Sequence, residues 1–216
     1  MADIFREVDE EVRKDRFRAL WKQYGGYVYI VVGALVVGTA ASQYWQYYRE
    51  QQRLEASALY QDAVEALRRE QTSQGINDLA RLANESGTGY AVVGRLREAA
   101  ARAEAGDLDG AVRAYDQLAA DSGVEQVYRD LARISAALRL ADRGDPGEVR
   151  SRIAPLRADG QPWRFSAREI EAVLALRENK SKEARELLQG LVLDAETPAG
   201  VRGRANELLA ALGGGE

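Results

Sequence analysis

AAARAEAGDLDGAVRAYDQLAAD, residues 99–121, is the stretch on which the fold turns. It is an alanine-rich run, a turn at Gly106, and a second run with Ala111, Tyr115 and Leu118 at spacings of four and three. That spacing puts the three side chains on one face of a helix. A small residue where two paired helices cross, with a large one a turn later, is what stacking requires. The pattern returns in ALRLADRGDPGEVRSRIAPL, residues 137–156, with Gly144 at the turn and Val149, Ile153 and Leu156 after it. It returns again in AVLALRENKSKEARELLQGLVLD, residues 172–194, with Asn179 at the turn and Ala184, Leu188 and Leu191 after it. From turn to turn the spacing is 38 and then 35 residues. A period of that length marks helix pairs that bury their apolar faces only by stacking on one another.

Working outward, nothing after residue 48 alternates in the manner of a strand, and the chain's 36 Ala and 23 Leu recur at three and four residues. The fold expected is all-α. Residues 47–71, YYREQQRLEASALYQDAVEALRREQ, continue one helix with Leu54, Leu59, Val64 and Leu67 as its stripe, ended by Thr72-Ser73-Gln74-Gly75. Further helices are expected over about 75–86, 89–105, 108–120, 124–142, 146–157, 165–178, 181–192 and 198–212. Start signals are capping boxes at Ser122-x-x-Glu125 and Ser166-x-x-Glu169, and prolines at Pro146 and Pro198. The period is close to the about 34 residues of a tetratricopeptide repeat, although the full consensus is not met. Residues 49–212 therefore read as a degenerate tetratricopeptide-repeat-like domain with a flexible tail at 213–216, a plain helical bundle being the alternative.

Upstream the chemistry changes. Between Lys22 and Arg49 lie 26 residues without a charge, QYGGYVYIVVGALVVGTAASQYWQYY. A helix over Tyr24–Ser42 is about 28 Å long at 1.5 Å per residue, enough to cross a hydrocarbon core of about 30 Å. Half of the 16 aromatic residues flank it: Trp21, Tyr24, Tyr27 and Tyr29 on one side, Tyr44, Trp45, Tyr47 and Tyr48 on the other. Such belts suit the headgroup region. A cleaved signal peptide is the rival, since Thr39-Ala40-Ala41 resembles a cleavage site, but the preceding region is long and holds six acidic residues. Residues 23–48 are thus expected to be an uncleaved transmembrane signal anchor. Arg13, Lys14, Arg16, Arg18 and Lys22 crowd its N-terminal flank, against Arg49 and Arg53 beyond it. The positive-inside rule then puts the N-terminus in the cytoplasm and the repeats outside, in a bacterial periplasm. Residues 1–22 carry Ile4, Phe5, Val8 and Val12 at helical spacing and read as a cytoplasmic amphipathic helix against the lipid bilayer. Ala34, Gly38 and Ser42 form a small-residue stripe that suits a helix–helix contact in the membrane.

Composition narrows the chemistry. The chain has no Cys, no His and one Met, so thiol nucleophiles, imidazole acid–base pairs and His/Cys metal sites are impossible. A net charge of -4 gives no basic footprint for nucleic acid. Gly87 to Gly94 has the wrong spacing for a dinucleotide fingerprint and no strand before it. Asp107-Leu108-Asp109-Gly110 resembles part of a calcium loop, yet Leu118 stands where a bidentate Glu is needed, so a helix cap and turn is the better reading. Glu169 and Glu171 lie amid arginines and read as a solvated helix face. Neither an active site nor a cofactor is expected. Outside the anchor region the aromatic cluster is Gly160-Gln161-Pro162-Trp163-Arg164-Phe165, where Trp163 and Phe165 either bind a partner from a loop or staple that loop onto the core.

An acidic–basic opening, DIFREVDEEVRKDRFRALWKQYG, one span rich in small and aromatic residues, and degenerate repeats make the chain resemble the YfgM-type ancillary subunits of the Sec translocon, in their alphaproteobacterial branch. The resemblance implies an inner-membrane protein near SecYEG, acting with a membrane-anchored periplasmic prolyl isomerase of the PpiD type on unfolded client proteins as they emerge. It carries over no catalytic residue. A repeat scaffold for envelope assembly or cell division is the alternative, and a carboxylate-dependent hydrolase a third.

Overall fold

A computed structural model of the chain describes residues 2–85 and 89–213, without the side chains of residues 2–20, Gly25, Val28 and Glu85. All of its regular structure is helical. In order come α1 (Ala2–Arg68), α2 (Thr72–Glu85), α3 (Gly89–Glu104), α4 (Leu108–Ala120), α5 (Gln126–Leu140), α6 (Pro146–Ile153) with a 3-10 turn at Ala154–Leu156, α7 (Arg164–Arg177), α8 (Ser181–Leu193) and α9 (Ala199–Gly213). The chain divides into two compact units, Met1–Leu54 and Glu55–Glu216.

The first unit is the N-terminal part of α1. Its backbone is helical over residues 2–20, while the side chains expected to make that stretch amphipathic lie outside the described residues, as do residues 214–216 of the expected tail. Further along, Tyr27, Ile30, Val32, Leu35 and Val37 are all more than half exposed, and these positions fall on every side of the helix. A helix apolar all round belongs in an apolar surrounding. Among the described residues, however, no helix is long and apolar enough to cross a membrane, so the span expected at 23–48 is not shown by the structure.

The second unit holds one more closing turn than the three marked by the repeated pattern, and it lies at Glu70. Glu70 takes a left-handed φ of 63°, and the Gln71 N–H donates to the Ala66 carbonyl at 2.9 Å. Gly106 at φ 88° and Asn179 at φ 61° do the same, with Asp107 bonding Arg102 at 2.9 Å and Lys180 bonding Ala175 at 2.8 Å. Each is a left-handed C-terminal cap followed by a bond reaching back five residues, which closes a helix and reverses the chain. The turns at residues 70, 106, 144 and 179 thus define four hairpins, the first made by the end of α1 with α2. Thr72-Ser73-Gln74-Gly75 does not end a helix as expected but opens α2. Gly75 is needed there for space, since a Cβ would lie 2.6 Å from Leu67 Cγ and 3.0 Å from the Ala63 carbonyl oxygen.

Two other start signals also differ. Asp121 Oδ1 accepts from the Gly123 N–H at 3.0 Å in the turn that Ser122 occupies, and α5 begins at Gln126 without a side-chain cap. Ser166 and Glu169 lie inside α7, which starts at Arg164. The acidic caps do form: Asp107 accepts from the Gly110 N–H and Asp145 from the Glu148 N–H, both at 2.9 Å. Among the described residues apolar clusters run across α3–α5, α5–α7 and α7–α9, and Ala63, Leu79 and Leu82 are buried in the first hairpin.

Candidate interaction surface

The residues expected to pack between the repeats are all interior. Ala111, Val149, Ile153, Ala184 and Leu188 have no exposed surface, and Tyr115 and Leu118 are buried beside them. Burial pushes the Tyr115 hydroxyl above its ordinary pKa, opposed in part by the Arg139 guanidinium. These side chains hold the stack and leave binding to whatever lies on its surface. In the first unit Ala34, Gly38 and Ser42 are exposed on α1, and a Cβ built at Gly38 would meet nothing within 4 Å.

Trp163 and Phe165 both point inward. Phe165 is a residue of α7 and not of a loop; it is 5% exposed in the cluster with Leu188, Leu191 and Val201. The Arg164 guanidinium covers its ring at 4.1 Å and pairs with Glu196. Trp163 packs against the α5–α7 cluster. A partner would reach Phe165 only by opening the domain.

Glu169 and Glu171 correct a second expectation. Neither belongs to a solvated face: they are 7% and 4% exposed. Arg204 of α9 donates to both oxygens of Glu169 at 2.5 and 2.7 Å, and Arg150 of α6 donates to Glu171 at 2.7 Å. Arg150 also grips both oxygens of Glu178 at 2.8 and 2.7 Å. That guanidinium, with Lys180 behind it, pulls the Glu178 carboxyl down to about 2. A buried carboxylate persists only when paired and hydrogen-bonded, and each arginine supplies both conditions from a different helix. Sequence reading missed these pairs because their partners are 21 to 35 residues apart.

What the surface offers is a groove of about 600 Å³ walled by α2 and α4 over α3. Ala80, Ala83 and Ala114 keep it open by being small, and the exposed amides of Asn84 and Gln117 stand on its walls. At one end Arg95 donates to Asp121 at 2.6 Å, which together with the Gly123 N–H holds that carboxyl below its ordinary pKa. Tyr60 and Tyr90, 6.1 Å apart between ring centres, join α1 to α3. Among the described residues no three acidic groups gather to hold a metal.

Stacked hairpins with a common period and broad mixed surfaces define a helical-repeat protein of the kind that binds other proteins. The chain belongs to the tetratricopeptide repeat-like domain family, whose match covers residues 18–200 and so includes the uncharged run. No curated protein and no solved structure matches it.

Proposed function

We propose that this protein is a non-enzymatic, membrane-tethered interaction subunit or chaperone of the bacterial inner membrane, working beside the SecYEG translocon. Its repeat domain faces the periplasm and acts with a membrane-anchored prolyl isomerase of the PpiD type on newly translocated chains. One observation carries this reading: an uncharged run of 26 residues, belted by aromatics, precedes a tetratricopeptide-like domain. Tethering raises local concentration, so weak contacts by the repeats suffice once both partners share the bilayer. The basic excess before the run directs the repeats outward.

Co-purification of the full chain in mild detergent tests it. Recovery of SecY and the isomerase is the expected result. Recovery of cell-wall or division proteins in their place would assign the scaffold to envelope assembly instead.

A further inference from the structure

The apolar clusters from α3 onward follow the hairpins in order. One joins α4 to α3 and α5 through Tyr115, Leu118 and Ala132; the next joins α6 to α5 and α7 through Val149, Ile153 and Ile170; the third joins α8 to α7 and α9. Each cluster holds one of α4, α6 and α8, and none holds two. Continuity of the core from repeat to repeat therefore runs through α5 and α7. Among the described residues, α4, α6 and α8 share no cluster with one another.

α6 is the shortest of these second helices, 8 residues against 13 in both α4 and α8. Its buried side chains, Val149 and Ile153, both belong to the α5–α7 cluster. Toward α4 it extends Arg152, which donates through Nε and Nη2 to the two carboxylate oxygens of Asp116 at 3.2 and 2.7 Å. Two residues earlier Arg150 reaches the opposite way, to Glu171 and Glu178 of the α7 hairpin. A bidentate guanidinium–carboxylate pair fixes angle as well as distance. In a stacked-repeat protein small rotations per repeat set the curvature of the whole surface.

We infer that α6 is an ionic strut: the Arg152–Asp116 pair sets the spacing of α4 and α6, and with it the bend between the second and third hairpins. Arg152 also donates to Glu148 of its own helix at 2.7 Å. Losing Asp116 therefore leaves the guanidinium paired and α6 intact, so the strut releases without unfolding the repeat. This inference concerns the mechanics of the domain and stands whatever partner the protein binds.

The absence of native Cys allows clean labelling of cysteines introduced at the exposed positions Arg113 of α4 and Ser151 of α6. Spin-label distances are then compared in the full chain in detergent. Asp116→Asn should broaden the distribution and move it to longer distance. Asp116→Glu keeps the pair but adds a methylene, so the mean should shift while the width stays narrow. A distribution in Asp116→Asn that superimposes on wild type, with circular dichroism unchanged, would show that the apolar core alone sets the spacing and would overturn the strut. So would Asp116→Glu behaving like Asp116→Asn.

Discussion

Ala111 and Ala184 show how single residues set this architecture. Both have no exposed surface, and the sequence pattern reads them as the small side chains at which paired helices cross. A leucine at either site must displace its neighbours, and overpacking of this type costs about 1–3 kcal/mol. At about 2–4 °C per kcal/mol for a chain of this size, Ala111→Leu and Ala184→Leu should each lower the midpoint of a thermal melt by several degrees. An unchanged midpoint in both would mean that neither alanine lies at a crossing. The same scale shows where sequence reading fails. Spacing reveals that Ala111, Tyr115 and Leu118 share a face, because that relation is local. It cannot reveal that Glu169 is buried, because the arginine that makes burial tolerable lies 35 residues away.

At the scale of elements, hydrophobic period and turn chemistry place the helices well, and the boundaries of α3, α4, α8 and α9 fall within about two residues of those read from sequence. Both helices of the first hairpin are expected from sequence, but its turn is read at residues 72–75 and falls at Glu70. That turn uses Glu70 in a left-handed conformation, and a glutamate carries no sequence signature for that geometry, unlike Gly106. The two serine capping boxes misled because Asp121 closes one turn and the α7 helix starts ahead of the other serine. Glu178, the residue that ends α7, offers a test of how α6 is held. Its folded carboxyl titrates at about 2, chiefly because of Arg150, against about 4.5 ordinarily. A depressed carboxyl stabilises the fold fully above its unfolded value and loses that effect as pH falls toward its folded value. Urea unfolding should therefore show wild type more stable than Glu178→Gln at pH 6, with the gap closing between pH of about 4.5 and about 2. A gap that persists at the acid end would mean that packing, and not charge, accounts for the substitution.

At the scale of the whole molecule, two kinds of surface occur on one chain. The repeat unit buries most of its large apolar side chains and exposes scattered ones such as Leu138 and Leu193, whereas the first unit leaves Tyr27, Ile30, Leu35 and Val37 together more than half exposed. Exposed apolar patches beyond a few hundred Å² signal a partner or a bilayer. Charge supplies a direction that apolarity alone does not. Five basic residues lie within ten positions before the uncharged run, from Arg13 to Lys22, while Arg49 and Arg53 are the nearest ones after it. Basic flanks stay on the cytoplasmic side because translocating them is unfavourable. Alkaline phosphatase reports the outcome, since it is active only where its disulfides can form. Fused after Gly215 it should be active, and fused at Tyr24 it should be inactive. Activity at Tyr24 alone would invert the orientation and remove the periplasmic setting on which the proposed function rests. Silence at both positions would mean that the run does not insert, and the exposed apolar helix would then need a protein partner to cover it.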